Sequence, residues 1–501
     1  MTTRATTVAL AAADVPFILA LDIGSSSTRA VIYDAQARAI TGCDAQAANL
    51  IRTGSDGAAE ADAAALLEGA LGCIDAVLAQ AGALASQIRG VAVDTLVSNI
   101  LPIDAAGRVL APLITYADTR NAADADELRI ALDERVVHER TGCLLRTSYW
   151  PARLAWYRRT HPELWRRVAR WITLGELLEL RLFGHCRVTL SVASWSGLLD
   201  RTRLTWDDTL LALLGVAPEQ LSPLVDVAAP LAGLPETFAA RWPALRTVPW
   251  FPAVGDGAAA NIGSGCTRHE RIALTLGTTG ALRVVQPDVA QVPPGLWCYR
   301  VDGRHALLGG ATTEGGNVYA WARTALQLGD PTAVESALAA LPPDGHGLTV
   351  LPFFAGERSP DWAGNVRATI HGLTLATTSL EILQANLEAV AYRFAVIQER
   401  ICGRADCTHR LIASGGALQR SPVWSQIFAD VLGRPVVLSA EPEATSRGAA
   451  LLALHALGHL PALEQIPTAD GATYVPDAGR HAIYSAAVTR QRALYARLIP
   501  A

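Results

Sequence analysis

Two short stretches of the chain place glycine and hydroxyl residues between apolar runs. They are LDIGSSSTRAVI (residues 21–32) and LTLGTTGALRVV (residues 274–285), and each predicts a β-hairpin with a tight turn. The backbone N–H groups and hydroxyls of such turns form a concavity that suits phosphate oxygens. Asp22 lies just before the first turn, where a carboxylate can hold Mg²⁺ through water. One such turn is common, but the pair with its acid predicts a polyphosphate site.

The basic residues of the chain narrow the chemistry further. The sequence contains no lysine, so all 42 of its basic residues are arginines. A P-loop or a protein-kinase site uses a lysine against the phosphates, and a Schiff base needs the lysine amine. Those chemistries are therefore excluded, and any phosphate must be bound without a lysine ε-amino group.

The two turns must be positioned by two domains. A chain of 501 residues is too long for one hydrophobic core, and the repeated hairpin indicates a duplicated domain. Prolines and glycines cluster over residues 230–257, so we predict domains at 17–254 and 255–501. We expect residues 1–16 to be a disordered leader rather than a signal peptide, because Asp14 and Pro16 interrupt its apolar stretch. Thr378 and Glu381 have capping-box spacing and predict the start of a long helix.

Composition excludes several partners. The formal net charge is −5 and no basic run is present, which argues against nucleic-acid binding. We found no window of about 20 uncharged apolar residues, so no membrane span is predicted. The eight cysteines are scattered without a Cys-x-x-Cys pair, which is typical of free thiols in a reducing cytoplasm.

Several further motifs, in order along the chain, resemble those of the FGGY family of carbohydrate kinases. The resemblance covers most of the chain, from about Phe17 to His455. It rests on both phosphate turns, the sugar-site segment ITYADTR, the catalytic segment VGDGAAANIGSG and the adenosine motif ASGGALQRSPVWSQIFADVLGRPV. It implies an actin-like ATPase fold, with two ribonuclease-H-like α/β domains around a cleft. It also implies a phosphotransferase that uses ATP and Mg²⁺ on an alcohol group of a small carbohydrate, and a possible homodimer.

The resemblance implies a role for each matching residue. Asp256 would be the catalytic base that accepts the proton of the attacking hydroxyl. Asp22 would hold Mg²⁺. The residues that bind ATP would be Ser25, Ser26, Thr28, Gly277, Thr278, Thr279, Gly310, Gly415 and Gly416. The residues that bind the acceptor would be Asp94, Ser98, Asp118, Arg120 and Asp256.

Each of these acids also has a plainer interpretation. Asp256-Gly257 is a strong turn dipeptide, and Asp94 could simply cap a loop. Asp118 and Arg120 could form a solvated ion pair of little energetic weight. The motif matches favour the site roles of Asp256, Asp118 and Arg120, and for Asp94 we expect a contact with the sugar from a strand end.

The acceptor is the least determined feature. The chain is most similar to the gluconate kinase branch, so the expected reaction is D-gluconate to 6-phosphogluconate. Relatives in that branch and xylulose kinases have Met-His in a sugar-contacting loop, where this chain has Val97-Ser98. A xylulose-type ketopentose or a polyol is therefore the alternative acceptor. A cation facing the substrate carboxylate would favour gluconate, and Arg120 and Arg146 are the candidates.

Two other classes of protein were weighed. An actin-like nucleotide switch would keep the phosphate turns and Asp22 but would need neither Asp256 nor Asp118. Both are present, which counts against a switch. An NAD-dependent oxidoreductase would need Gly-x-Gly-x-x-Gly after its first strand, and DIGSSST lacks those glycines.

Overall fold

The computed structural model describes residues 5–403, 408–466 and 468–499. The first half contains fifteen described strands, several of only two residues. They are β1 Thr7–Val8, β2 Phe17–Ile23, β3 Ser27–Tyr33, β4 Ala39–Ala48, β5 Ile51–Thr53, β6 Ala59–Ala61, β7 Ile88–Thr95, β8 Leu101–Ile103, β9 Leu113–Ile114, β10 Arg170–Ile172, β11 Val188–Thr189, β12 Leu199–Asp200, β13 Thr205–Trp206, β14 Leu224–Val225 and β15 Val254–Gly255. Its helices are α1 Ala63–Ala81, α2 Ala122–Ala131, α3 Glu134–Thr141, α4 Trp150–Thr160, α5 Pro162–Arg167, α6 Leu174–Phe183, α7 Leu190–Ser194, α8 Asp208–Leu214, α9 Glu236–Arg241 and α10 Asp256–Gly263.

The second half alternates longer strands with helices. Its described strands are β16 Arg271–Leu276, β17 Gly280–Gln286, β18 Trp297–Arg300, β19 Ala306–Thr312, β20 Thr349–Leu351, β21 Thr369–His371, β22 Arg410–Ser414, β23 Val436–Ser439 and β24 Asp470–Tyr474. Its helices are α11 Gly316–Ala325, α12 Pro331–Ala339, α13 Ser379–Cys402, α14 Gly416–Arg420, α15 Pro422–Leu432, α16 Ala444–Ala456 and α17 Ala478–Leu498.

The two main sheets have the same internal order. The first runs β1-β4-β3-β2-β7-β15 and the second runs β18-β19-β17-β16-β22-β23-β24. In each sheet the first three core strands form an antiparallel meander, and two later strands add in parallel beside the first. Both predicted hairpins, β2–β3 and β16–β17, therefore occupy equivalent positions. The predicted duplication is confirmed by this topology.

Local sequence explains the main elements. In β2, FILALDI, nearly every residue is buried, because helices cover both faces of the sheet. Helix α13 starts at the predicted capping box, in which Thr378 and Glu381 satisfy each other's backbone N–H groups. By length and composition, the described segment Ala63–Gln87 could also cross a membrane. In the structure its apolar side chains, such as Leu67 and Ile74, are buried against β3 and β4.

The two halves are joined more closely than the predicted boundary implies. Strand β15 still belongs to the first sheet, and helix α10 follows it before the second sheet begins at Arg271. Helix α16, from the second half, returns to pack against α10 and against β2 and β7. A Cβ on Gly448 of α16 would lie 1.8 Å from the Ala259 carbonyl oxygen of α10, so glycine permits this close approach.

The predicted leader also differs from the structure. Thr7–Val8 form β1, which pairs in parallel with β4 beside Ala39. Leu10–Ala12 form a 3₁₀ turn, and Val8 and Leu10 pack on the core of the first half. Apolar side chains in this segment therefore extend the first sheet, a tertiary contact that local composition does not reveal. Residues 1–4 lie outside the described part of the chain.

Candidate active site

The first predicted phosphate turn, between β2 and β3, is fixed from its inner side. The Gly24 N–H donates within the turn (3.0 Å), and the Asn49 side-chain amide donates to the Gly24 carbonyl (2.7 Å). Thr28 is fully buried, and its hydroxyl is hydrogen-bonded to Asn49. Thr28 therefore braces the turn instead of facing a phosphate, which corrects its predicted role. Ser25 and Ser26 remain accessible.

The second predicted phosphate turn, between β16 and β17, presents its hydroxyls outward. The Gly277 N–H donates to the Thr279 carbonyl (3.0 Å), which closes the turn. The Gly316 N–H at the start of α11 donates to the Gly277 carbonyl (2.7 Å) and holds the turn from behind. Thr278 and Thr279 are both exposed. Their side chains are therefore accessible, and their contact with phosphate oxygens stays a prediction.

A cavity of about 920 Å³ lies beside the second turn, within the second half. Gly416 lines it together with residues of α11, α12 and α15. Gly415 has a φ of +93°, and a Cβ there would lie 2.5 Å from the Leu276 carbonyl oxygen, so only glycine fits against β16. The cavity is large enough for a nucleoside. Gly310 does not reach it, because this residue is buried in β19, where a Cβ would lie 2.9 Å from Ile397 Cγ2. Its predicted ATP contact is not supported by this placement.

Three acids are brought together by strand register in the first sheet. Asp22 in β2 lies directly beside Asp94 in the parallel strand β7. Val254 in β15 lies beside Asp94 on its other side, and Asp256 follows as the first residue of α10. Because the carboxyl ends of parallel strands meet at one sheet edge, the three carboxylates face a common region.

The Asp22–Asp94 pair fits a hard cation. Asp94 is fully buried, and no donor among the described residues reaches either of its carboxylate oxygens. Burial, reinforced by the Asp22 charge, raises the pKa of Asp94 well above its ordinary value, and burial also raises the pKa of Asp22. A buried carboxylate without a donor is costly unless a proton or cation lies beside it, and Mg²⁺ takes one or two such ligands. Asp94 thus lies beside Asp22 in the sheet, and its predicted contact with the sugar stays a prediction.

Asp256 is poised as a proton acceptor. Burial raises its pKa to about 6, and the Asp22 charge acts in the same direction. The Gly257 N–H (2.7 Å) and the positive charge of Arg283 partly oppose this rise. A carboxylate with a pKa just below neutral is ionised at pH 7 and still basic enough to assist proton removal.

A second cavity of about 400 Å³, here called the acceptor cleft, connects these parts. Ser25 of the first turn, Thr279 of the second turn and Asp256 all line it. Trp195 and Tyr299, stacked with ring centroids 3.6 Å apart, form part of its wall. Its other lining residues include Val97, Ser98, Tyr116, Ser148, Tyr149, Arg283, Trp297 and Arg358.

The sequence profile of the N-terminal domain of FGGY family carbohydrate kinases matches residues 17–263, and that of the C-terminal domain matches residues 272–457. The chain belongs to the FGGY family of carbohydrate kinases. It is therefore a phosphotransferase with an alcohol group as acceptor, and its fold is the actin-like, two-domain fold of that family, as predicted. FGGY kinases use ATP as the phosphate donor and a small carbohydrate as the acceptor.

Relatives with different named activities match similar shares of the chain. The gluconokinase of Bacillus subtilis (strain 168) is 26% identical over 470 residues, which is 91% of both proteins. The glycerol kinase of Dechloromonas aromatica (strain RCB) is 32% identical over 459 residues, covering 88% of this chain and 89% of the relative. The solved structure of ligand-bound xylulose kinase from Lactobacillus acidophilus matches with a TM-score of 0.90 at 23% identity, covering 97% and 99% of the two chains. Family membership therefore gives the reaction class, and the acceptor must be argued from the cleft.

Among the predicted acceptor residues of this FGGY kinase, Ser98 lies in the cleft. Its hydroxyl donates to the Trp195 carbonyl (2.8 Å), so it ties the first sheet to the aromatic wall. Val97 lines the cleft beside it, which places the departure from Met-His at the acceptor site.

Asp118 and Arg120 are placed elsewhere. Asp118 is buried and accepts hydrogen bonds from the Ala59 N–H (2.9 Å) and from the Arg120 side chain (2.7 Å). Arg120 also pairs with Glu60 (2.6 Å) and lies 4.8 Å from the centre of the Trp156 ring. Neither residue lines the acceptor cleft. Their predicted sugar contacts are corrected to a closed ion-pair cluster that supports the segment carrying Tyr116.

Sequence reasoning missed two arginines of the cleft, Arg283 and Arg358. Arg283 lies inside the quoted motif LTLGTTGALRVV, where alternation along β17 could have placed it on the same face as Ala281. Arg358 lies in the segment GERSP, whose position in the fold carries no local signal. Tyr149 also lines the cleft, whereas its neighbour Trp150 donates to the Asn99 carbonyl (3.0 Å) in the core.

Proposed function

We propose that this FGGY kinase transfers the γ-phosphate of ATP to a hydroxyl of a sugar acid, with D-gluconate as acceptor and 6-phosphogluconate as product. The observation that carries the proposal is the acceptor cleft, which gathers Ser25, Thr279 and Asp256 around one space. Similarity to gluconokinases over 91% of the chain supports the choice of acceptor. The cysteine pattern and the soluble nature expected of a metabolic kinase support a cytoplasmic location.

The proposed division of labour follows the two halves. The adenosine would occupy the larger cavity beside Gly416, and Thr278 and Thr279 would bind the β- and γ-phosphates from the second turn. Ser25 and Ser26 would approach the phosphates from the opposite side. Asp22, with Asp94 beside it, would hold Mg²⁺, which when bound offsets the negative charge of the phosphates. Phosphoryl transfer asks the protein mainly for this positioning and charge balance.

Asp256 would act on the acceptor. With its carboxylate ionised, it would orient the attacking hydroxyl and take its proton as the new P–O bond forms. The stacked rings of Trp195 and Tyr299 would keep water from the same position, because water would otherwise consume ATP unproductively.

A ketopentose or polyol is the second candidate acceptor. Val97 and Ser98 line the cleft, and both are smaller than the Met-His pair of related sugar kinases. A cleft changed at this position is consistent with a different acceptor within the same reaction class.

The test is ADP release by purified protein with Mg-ATP across a panel of sugars, sugar acids and polyols, with Asp256→Asn measured in parallel. We expect D-gluconate to stimulate turnover most, and the variant to lose about 10²–10⁴-fold in rate. Stronger stimulation by xylulose or a polyol would replace the acceptor but keep the kinase. If ATP binds and no acceptor stimulates its use, the proposed reaction fails and a nucleotide switch becomes the better hypothesis.

A further inference from the structure

The acceptor cleft contains more positive than negative charge. Asp256 is the one acid among its described lining residues, whereas two arginines, Arg283 and Arg358, line it as well. Within the described part of the chain, neither arginine has a carboxylate at ion-pair distance. Nearly every other cleft residue is neutral and either aromatic, hydroxyl-bearing or small. The excess positive charge therefore favours binding of an anion in the cleft.

The two arginine side chains differ in the hydrogen bonds that they already make. The Arg283 side chain donates through Nε to Asn261 Oδ1 (3.0 Å) and through one terminal nitrogen to Thr275 Oγ1 (2.9 Å). Its charge acts on Asp256, so Arg283 belongs to the reacting end of the cleft. For Arg358, no acceptor of a side-chain hydrogen bond is found among the described residues.

Arg358 lies beside several of the aromatic side chains of the cleft. Its guanidinium carbon is 5.7 Å from the centre of the Trp362 ring, and its charge acts on the phenols of Tyr149 and Tyr299. Those two hydroxyls are hydrogen-bonded to each other (2.6 Å) rather than to the arginine. The guanidinium therefore has an aromatic support on one side and unused donors toward the cleft.

The backbone that carries Arg358 is fixed. The neighbouring Glu357 is buried and bound by Arg393 and by the Tyr495 hydroxyl (2.6 Å), so it is not the counterion of Arg358. On the other side, the Ser359 N–H donates to the Ala311 carbonyl (2.9 Å) of β19. The backbone on both sides of Arg358 is therefore anchored, and Arg358 projects from a fixed segment at the cleft.

The arginines suggested by sequence are already neutralised. Arg120 is paired with Asp118 and Glu60, and Arg146 is paired with Glu134. Neither lines the acceptor cleft. Arg358 is left as the cleft cation that has no hydrogen-bond partner for its side chain among the described residues and can therefore meet a substrate carboxylate.

We propose that Arg358 binds the carboxylate of an open-chain sugar acid, so that this chain selects sugar acids over ketopentoses and polyols. The acceptor hydroxyl then lies next to Asp256 while the carboxylate lies against the guanidinium, which fixes both ends of the chain. A guanidinium–carboxylate contact is charge-assisted and geometrically specific, whereas a neutral hydroxyl offers the same arginine a weaker partner. This inference rests on the proposed kinase function of the same cleft.

The test compares D-gluconate with D-glucitol, which has the same carbon chain with a CH₂OH group in place of the carboxylate. KM and kcat are measured for the wild type, Arg358→Gln, Arg358→Lys and Arg146→Gln. In Arg358→Gln we expect KM for D-gluconate to rise about 10–100-fold with little change in kcat, and KM for D-glucitol to stay unchanged. Arg358→Lys should recover part of the loss. Arg146→Gln removes a cation at the same distance from Trp362 but outside the cleft, and should leave the discrimination intact.

A catalysis-independent readout separates this inference from the proposed function. Binding of D-gluconate and of other sugar acids is measured calorimetrically on Asp256→Asn, with and without Arg358→Gln. Binding that weakens at least tenfold on loss of Arg358 supports the inference even if turnover is absent, and then the proposed reaction alone fails. Equal weakening for acid and polyol, no binding of any sugar acid, or a wild type that prefers a neutral acceptor would overturn it. If Arg358→Gln does not fold, Arg358→Lys decides by the same comparison.

Discussion

The pH dependence of turnover should report the ionisation of Asp256. Only the carboxylate form can take the proton of the acceptor hydroxyl, so the rate follows the ionised fraction of this group. With a pKa of about 6, that fraction is about 0.9 at pH 7 and about 0.1 at pH 5. We therefore expect activity to fall about tenfold from pH 7 to pH 5, and to be lost as pH decreases through the folded-state pKa.

A charge variant makes this prediction specific. The positive charge of Arg283 lowers the pKa of Asp256, and Arg283→Gln removes that charge while keeping a donor for Asn261 or Thr275. The pH at which activity falls on the acid side of the pH–rate profile (the acid limb) should then move to higher pH, by about one unit or less. Arg367 is exposed and remote from the cleft, so Arg367→Gln should leave the limb where it is in the wild type.

The assay is the initial rate of ADP formation with both substrates well below their KM values, which reports the ionisation of the free enzyme. Rates are taken by a discontinuous ADP measurement between about pH 5 and pH 8, so that coupling enzymes do not impose their own pH dependence. A rate that is flat from pH 7 to pH 5 would refute the reasoning. An Asp256→Asn variant that keeps both activity and the acid limb would refute it as well.

Three further predictions concern residues outside the acceptor cleft. Glu388 is fully buried, and its two carboxylate oxygens accept five hydrogen bonds. Glu388→Gln should therefore lower the free energy of unfolding by about 2–5 kcal/mol in denaturant titrations. An unchanged unfolding midpoint would contradict this. Gly415→Ala would place a methyl group 2.5 Å from the Leu276 carbonyl oxygen, so ATP affinity should fall at least about tenfold in a binding assay. Thr28→Val removes a buried hydrogen bond and should cost about 1 kcal/mol of stability while leaving KM for ATP nearly unchanged; a large rise in that KM would restore its predicted contact with phosphate.

Much of the fold could be predicted because it rests on local signals. Glycine with Ser or Thr between apolar runs specifies a tight hairpin turn, and both turns were placed correctly on that basis. The capping box at Thr378 and Glu381 identified the start of α13 for the same reason. Duplication followed from finding one local pattern twice. The predicted disordered leader was wrong for the described residues, because β1 forms a strand by pairing with β4, and local sequence does not show that pairing.

The acceptor site shows the limit of such reasoning. Thr28 and Ser25 belong to the same run of hydroxyl residues, but strand alternation turns Thr28 inward to Asn49 while Ser25 faces the cleft. Asp94 shares a strand register with Asp22, which places it beside the metal-binding candidate, and it is not among the residues that line the cleft. Residue type was correct in each case, and the direction of the side chain decided the role.

The sequence by itself determined the turns, the duplicated architecture and, through its set of motifs resembling those of FGGY kinases, the reaction class. These depend on backbone preferences and residue chemistry within short segments. The tertiary structure alone decided which arginine remains available to a substrate. Arg120 and Arg146 are neutralised by Glu60 and Glu134, whereas Arg358 has no carboxylate partner among the described residues and lies beside aromatic side chains from both halves. The physical reason is that the availability of a charge depends on which acids the fold brings within a few ångströms of it.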